Sequence, residues 1–222
     1  MKRNKSCYYC GEAATGVEHV PPLCFFPEGQ REDLFTVPSF EIHNHKKSKD
    51  DEYVKTALTI SANLMLKRNL SSIIHKSFRA LNRNIAFRET VLKKPEPAFV
   101  VLDDGRLYES FSHEIDLPRF MSFFDSMGRA LYFYHENKVW NGRTKIAPHF
   151  LLKENAEEID LEINRELIVH FDKAHSHGKN KSIFYYNFVY VFDNEVNRNI
   201  IMYVLSVCLF DEFKISILLP VD

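Results

Sequence analysis

The sequence predicts an α+β fold in three consecutive parts. A small module organised by metal comes first, a basic helical connector follows, and an α+β region with mostly antiparallel strands completes the chain; their bounds are 1–54, 55–97 and 98–222. Two observations favour a folded chain. Its 222 residues include 45% hydrophobic side chains, and 14% of the side chains are aromatic, which is enough apolar material for a core.

Local composition separates the three parts. Residues 7–45 are rich in Cys, Gly, Pro and His and show little apolar periodicity, which indicates turns and short strands held by something other than a core. Residues 53–92 repeat apolar side chains at roughly helical spacing. The segments 182–193 and 199–220 are rich in β-branched and aromatic residues and predict strands of a mostly antiparallel sheet.

Individual elements can be predicted in chain order. Leu34 to Phe40 has the composition of a strand, and Pro38 places it at an edge or a strand end. Ser48 with Asp51 resembles a capping box, so a helix is expected to begin near Ser48. Two helices are expected from Tyr53 to about residue 92.

After residue 92 the sequence predicts a break, a hairpin and a helix. "KKPEP" at 93–97 predicts a break after the helices, and 98–111 predicts a hairpin around an Asp-Asp-Gly turn. Residues 116–140 predict a helix entered through Pro118, with phenylalanines on or near one face.

The cysteines and the N-terminus indicate a compartment. Four cysteines, two of them in Cys7-x-x-Cys10, are too few and too unevenly placed for a disulfide framework. The chain starts with basic residues but lacks the apolar stretch of a signal peptide, and no long uncharged apolar run follows. We therefore expect a cytoplasmic protein without a membrane partner, in which the Cys-x-x-Cys pair binds metal or is redox-active.

The pair Cys7 and Cys10, followed by Gly11, has the form of a zinc-knuckle half-site. A second pair of equal spacing would fall at Phe40 and His43, and of these His43 alone can bind zinc. The fourth ligand could be His45, Cys24 or water. Alternatively, zinc is absent and Phe40 fills the space by packing.

Together, "CYYCGEAATGVEHVPP" and "DLFTVPSFEIHNHKKSKDDEYV" resemble the His-Me finger nucleases of the HNH superfamily, in the branch marked by Glu-His-Val-Pro-Pro. The match covers about residues 7–54. The resemblance implies a ββα-metal module, a β-hairpin and a helix around one catalytic divalent ion, often braced by zinc. It implies an endonuclease that hydrolyses phosphodiester bonds, with Mg²⁺ or Mn²⁺ as the catalytic ion and Zn²⁺ as a candidate structural ion.

The resemblance also assigns roles. His19 matches the general base, Glu18 and Asn44 match the ligands of the catalytic ion, and Asp33 stands where the family has the residue that orients the histidine. Asp51 and Glu52 could add a ligand, although helix capping explains them equally well. Because neighbours on an extended strand face opposite sides, the pairing of Glu18 with His19 predicts a kink, for which Pro21 and Pro22 are suitable.

Charge predicts where a polyanion would bind. Residues 55–94 hold nine Lys/Arg and one Asp/Glu, although charge alone fits a solvated helix face at least as well. Together with the nuclease resemblance, the charge pattern predicts contacts to nucleic acid in this stretch and just before it. The candidate residues are Lys46, Lys47, Lys49, Lys67, Arg68, Lys76, Arg79 and Arg83.

Several alternatives stay open at this stage. DNA is the favoured substrate and RNA is a second one. A different class of function is a binding module for nucleic acid or protein that keeps the fold after losing catalysis. The acidic C-terminal region predicts a scaffold, a homodimer surface or a contact for a regulatory protein, and mobile-element or phage-defence roles suit such a layout.

Overall fold

The computed structural model describes residues 6–32, 34–61, 64, 67–101, 105–151, 165, 167–168, 176–194 and 198–221, and for 44–46 it describes the backbone alone. These residues form an α+β structure with antiparallel sheets, which confirms the predicted α+β class and the antiparallel strands. In chain order the main elements are β1 Gly16–Val20, β2 Phe35–Ser39, α1 Glu41–Thr59, α2 Ser71–Arg83, α3 Ile85–Val91, β3 Lys93–Val101, β4 Leu107–Glu114, α4 Leu117–Glu136, β5 Lys145–Pro148, β6 Phe184–Phe192, β7 Ile200–Leu209 and β8 Phe213–Pro220.

The N-terminal part consists of an antiparallel strand pair followed by a helix. Strand β1 pairs with β2 in a continuous register that includes Glu18 opposite Val37 and His19 opposite Thr36. The turn that carries the first two cysteines is attached to this pair, because the Tyr8 amide donates to the Pro38 carbonyl at 2.9 Å.

Helix α1 begins at Glu41, seven residues before the predicted start at Ser48. The expected capping box is therefore wrong, and Asp51 lies in the middle of the helix. The amide of Glu41 instead donates to Thr15 Oγ1 at 2.9 Å, so a hydroxyl from before β1 satisfies a donor of the first turn. This cap is distant in sequence and leaves no local signal.

The connector is more divided than the sequence indicates. A 3-10 turn at Arg68–Leu70 precedes α2, and α2 is followed at once by the short helix α3. Asn84 separates the two, and its side chain accepts a hydrogen bond from the Phe87 amide at 3.0 Å as the N-cap of α3. Between residues 53 and 92 the described residues hold the end of α1, then α2 and α3, where two helices were expected. The basic exposed side lies on α2, with Lys76, Arg79 and Arg83.

The predicted hairpin is present and longer than expected. Strand β3 includes the "KKPEP" segment that was expected to be a break, and its register with β4 shifts between Lys93 and Glu96. Since β3 and β4 form a sheet of their own, the prolines lie in a strand that has an open edge, where a missing N–H costs little.

Helix α4 packs against a sheet with the order β5-β8-β7-β6. The helix follows the prediction, with Asp116 as N-cap accepting from the Arg119 amide and Asn137 in the left-handed region at its end. Gly128 allows a close approach of the helix to β8, because a Cβ there would lie 2.7 Å from Ile217 Cγ2. Strand β5 was not predicted, since four residues give too short a pattern.

A continuous hydrophobic core joins the parts of the chain. It includes Tyr8, Ile73 and Leu219, one from each predicted segment. Phe25 lies at the junction, with its ring stacked on Phe123 at 5.4 Å and on Phe210 at 5.9 Å. The segment bounds at 54 and 97 remain predictions. None of the described helices combines the length and apolar character that a bilayer span requires.

Candidate metal centres and active-site pocket

The turn after Ser6 and the start of α1 bring three metal-binding side chains together. The ligand atoms of Cys7, Cys10 and His43 all lie within 4.8 Å of one another, and we name these residues the knuckle cluster. The turn closes through a hydrogen bond from the Gly11 amide to the Cys7 carbonyl at 2.9 Å, with Gly11 at φ +80°. The Tyr9 amide points at Cys7 Sγ at 3.5 Å, as expected for a knuckle.

The donor set of the knuckle cluster suits zinc. Two thiolates and an imidazole are preferred zinc ligands, and tetrahedral bonds of about 2.0–2.3 Å place ligand atoms roughly 3.5–4 Å apart. Phe40, at the position of the missing ligand, has its ring 6.2 Å from the His43 ring. Cys24 lies outside this cluster, with its thiol 4.0 Å from the Asp51 carbonyl oxygen, which argues against Cys24 as the fourth ligand.

Strand β1 places Glu18 and His19 on opposite faces. Glu18 is buried, with 4% of its surface exposed, whereas His19 is exposed. The ladder to β2 runs unbroken through both residues, so the kink predicted between them is absent. Both side chains nevertheless border the same cavity, and therefore no kink is needed to bring them to one site.

This cavity, which we name the acidic pocket, has a volume of about 360 Å³. Its walls come from β1, from the 3-10 turn Leu23–Phe25 and from one face of α1, where residues 48, 51, 52 and 55 follow helical spacing. The residues that border it are Glu18, His19, Pro22, Leu23, Cys24, Ser48, Asp51, Glu52 and Lys55.

Glu18 is held by two buried partners. Tyr8 donates its hydroxyl to Glu18 Oε2 at 2.8 Å, and the ammonium of Lys47 forms an ion pair with Glu18 Oε1. Burial raises the pKa of Tyr8 well above its usual value, and the Glu18 charge adds to the effect. Tyr8 therefore stays a hydrogen-bond donor to Glu18 at neutral pH.

Asp51 differs from Glu18 in its partners. Its Oδ1 atom is buried and has no hydrogen-bond partner among the residues that the structure describes. Burial raises the pKa of Asp51 to about 7, the Lys47 charge lowers it, and the Glu18 charge raises it. Asp51 therefore gains or loses its proton near neutral pH.

The candidate contacts to nucleic acid divide by exposure. Arg68, Lys76, Arg79 and Arg83 are exposed on or beside α2, and Lys49 is exposed on α1. Two of the predicted contacts have partners within the chain. Lys47 is buried against Glu18, and Lys67 donates to the Phe210 carbonyl at 2.8 Å and lies 3.4 Å from the Glu212 carboxylate.

A second cavity of about 500 Å³ lies beside the acidic pocket, and Glu52 borders both. We name it the basic groove, since three cations border it: Lys49, Arg83 and Arg119. Arg119 is fixed by Asp50 at 2.7 Å and by the Lys49 carbonyl at 3.0 Å.

Several predicted residues lie outside what the structure describes. Asp33 is one of them. The side chains of Asn44, His45 and Lys46 are the others, although their backbone belongs to the first two turns of α1. Their predicted roles therefore stay predictions.

Comparisons of the chain with protein-family models, with curated proteins and with solved structures find no match. Any function proposed for the site therefore rests on its geometry.

Sequence reasoning missed Tyr8 and Arg119, and it gave Lys47 a different role. Tyr8 lies between the two cysteines, where the pattern shows only a spacer. Lys47 and Arg119 look like surface charges in the sequence. A signal for Lys47 was available in part, because it lies four residues after His43 and hence one turn along the same helix face.

Proposed function

We propose that this chain is a metal-dependent endonuclease of the HNH type that hydrolyses phosphodiester bonds, with DNA as the favoured substrate. The observation that carries the proposal is the acidic pocket, where an exposed histidine and a buried glutamate from consecutive positions of β1 border one cavity with α1. The order of β1, β2 and α1 supports the ββα-metal interpretation of residues 16–59.

His19 is suited to the role of general base. A neutral imidazole has an unprotonated ring nitrogen that can accept a proton from an attacking water. Its exposure lets a substrate phosphate and a water molecule reach the ring. Glu18 is suited to a different role, because its carboxylate is fixed by Tyr8 and Lys47 and cannot swing away.

The residues of the pocket fit a hard divalent ion. Carboxylate and amide oxygens are the ligands that Mg²⁺ and Mn²⁺ prefer. Glu18 borders the pocket and offers a carboxylate, and the resemblance assigns the amide ligand to Asn44. The buried Oδ1 atom of Asp51 has no described hydrogen-bond partner, so it is a further oxygen that could bind an ion. A bound ion would supply positive charge to the phosphate and leaving oxygens during the displacement.

The basic groove supports nucleic acid as the substrate class. Lys49 and Arg83 are exposed at a cavity that shares Glu52 with the acidic pocket, so a backbone held in the groove would pass the candidate base. Contacts of this kind bind phosphate and carry no sequence information.

A second candidate function is binding without catalysis. The observation that favours it is the Lys47 ammonium on Glu18, which places a cation against the oxygen that would otherwise bind the catalytic ion. A protein that had lost catalysis could keep this ion pair as a structural feature.

Incubation of purified protein with supercoiled plasmid separates the two candidates. We expect nicking or linearisation with Mg²⁺ or Mn²⁺ that stops in chelator, and a parallel assay on single-stranded RNA tests the substrate class. Binding to the plasmid without cleavage, across Mg²⁺, Mn²⁺, Co²⁺ and Ni²⁺, would instead support the binding module.

A further inference from the structure

We propose that Asp51 is a ligand of the divalent ion in the acidic pocket, where it acts together with Glu18. The inference rests on the proposed function for the existence of that ion, and it assigns the ligand from α1 to Asp51, in the middle of the helix. The resemblance alone assigns the helix ligand to Asn44.

The position of Asp51 removes the structural explanation suggested by the sequence. Helix α1 begins at Glu41, so Asp51 is ten residues inside the helix and has no free amide of a first turn to cap. Helix capping therefore does not explain why the Asp51 carboxylate lies at the acidic pocket.

Three consecutive acids of α1 have different surroundings. Asp50 forms an ion pair with Arg119 at 2.7 Å, and Glu52 is exposed. Asp51 lies between them and borders the acidic pocket, and its Oδ1 atom is buried without a described partner. A buried carboxylate oxygen that lacks a donor is costly unless something else binds it.

The neighbours of Asp51 indicate what that ligand is. Glu18 borders the same cavity from β1, so two carboxylates border one space. Two cations lie nearby among the described residues. Lys47 pairs with Glu18 and its charge also lowers the pKa of Asp51, and Lys55 borders the pocket from α1. Oxygen donors from two elements around a cavity suit a hard divalent cation that coordinates both.

Asn44 and Asp51 are alternatives for the helix ligand. They are seven residues apart in α1, a rise of about 10.5 Å along the helix axis. Separate side chains at that spacing do not readily meet at one ion while Glu18 also binds it. The pocket contains Asp51, and the proposal accordingly expects Asp51 to dominate ion affinity.

The test is Mn²⁺ binding by the full chain, measured from the electron paramagnetic resonance signal of free Mn²⁺, with circular dichroism as the check on folding. We expect Asp51→Asn to weaken Mn²⁺ binding by more than about tenfold, which is the lower end of what even an outer-shell change costs. Asp50→Asn is the matched control, because it changes the adjacent acid outside the pocket, and we expect it to stay within about twofold of wild type.

A second measurement does not depend on a variant. Fe²⁺ with ascorbate and peroxide cleaves a polypeptide near the ligands of the bound iron, and we expect fragments that end near residues 18 and 51 of the wild-type chain. Fragments confined to the neighbourhood of residues 7–10 and 43 would overturn the proposal.

The outcomes distinguish this proposal from the proposed function. Loss of Mn²⁺ binding in Asp51→Asn in a protein that cleaves no nucleic acid supports the ligand and contradicts the nuclease. Unchanged Mn²⁺ binding in Asp51→Asn overturns the ligand, whether or not the protein cleaves, and so does a wild-type chain that binds no Mn²⁺. A loss confined to Asn44→Ala would give the helix position to Asn44 and also overturn the proposal.

Discussion

The knuckle cluster and the acidic pocket are built from adjacent residues and differ in how their ligands are held. Cys7 and His43 belong to the first site. Tyr8, which follows Cys7, and Lys47, one helical turn after His43, hold Glu18 in the second site. In the knuckle cluster two cysteine sulfurs and a histidine nitrogen lie within 4.8 Å of one another. In the acidic pocket the glutamate already has two protein partners.

This difference predicts that the stability of the fold depends more on an ion at the knuckle cluster than on an ion in the acidic pocket. Glu18 keeps a hydrogen bond and an ion pair without any ion, so we expect the pocket to stay formed when its divalent ion is removed. The Tyr8 amide attaches the knuckle turn to the Pro38 carbonyl of β2, and zinc would also join the turn to α1 through His43. We therefore expect zinc to contribute to the stability of the fold and a divalent ion in the pocket to contribute to activity.

The largest effect is expected from breaking the Glu18–Lys47 pair. Glu18→Gln should lower cleavage by about a hundredfold or more, since a ligand of the catalytic ion is lost. It should also destabilise the fold by about 3–5 kcal/mol, because Lys47 keeps a buried charge without its partner. Adding Lys47→Met should restore most of the stability in a urea titration and none of the cleavage. Recovery of cleavage in the double variant would contradict the ligand role of Glu18.

The next effect concerns zinc. Cys7→Ser should reduce the zinc content of purified protein from about one per chain to near zero and lower the melting temperature by several degrees, because structural zinc contributes to folding. Cys24→Ser is the control, as Cys24 lies at the other site, and it should keep the zinc. Atomic absorption and a thermal melt measure both. Protein that is free of zinc and equally stable would show that Phe40 packing has replaced the metal.

A smaller effect is expected at the basic groove. Neutralising Lys49 and Arg83 to Gln should weaken DNA binding similarly for all sequences and reduce the slope of log affinity against log salt by about 2. Lys67→Gln provides the contrast, because Lys67 is bound to the Phe210 carbonyl and should change the melting temperature without changing the slope. Fluorescence anisotropy at several salt concentrations measures this. A slope that the double variant leaves unchanged would make the groove an ordinary solvated surface.

The smallest effect is a pH-dependent change in stability at Asp51. Its pKa of about 7 lies above the ordinary value of 3.8, so the native state holds the proton more tightly than the unfolded state and loses stability as pH rises from about 4 to 7. Asp51→Asn removes this loss. In metal-free buffer it should raise the melting temperature by about 2–4 °C at pH 8, which is on the order of 1 kcal/mol for a chain of this length, and by less at pH 5. Equal shifts at both pH values would contradict the burial of the charge.

The sequence predicts these regions unevenly, for physical reasons. The helix α4 and the strands of the last forty residues follow apolar periodicity, which local sequence records directly. The start of α1 escaped prediction because its first-turn donor is satisfied by Thr15, which is remote along the chain, whereas Ser48 offered a convincing local cap.

Some residues of the candidate sites could be predicted from the sequence, and others could not. Cys7, Cys10 and His43 could be predicted from spacing, because a metal needs ligands at fixed intervals of a turn or a helix. The partners of Glu18 could not, since a buried Lys47 looks identical in sequence to the exposed Lys49 two residues later. Burial is decided by which helix face meets β1, and that depends on the tertiary packing.

The most direct test of the account is cleavage by His19→Ala with and without added imidazole. If His19 is the general base, its loss should lower the rate of plasmid cleavage in Mg²⁺ by about 10²–10⁴-fold with little change in DNA binding. Because the side chain is exposed at the pocket, imidazole from solution should enter the vacated space and restore part of the rate, more so above pH 7 where it is neutral. A His19→Ala protein that cleaves at the wild-type rate would contradict the assignment of this pocket as the active site.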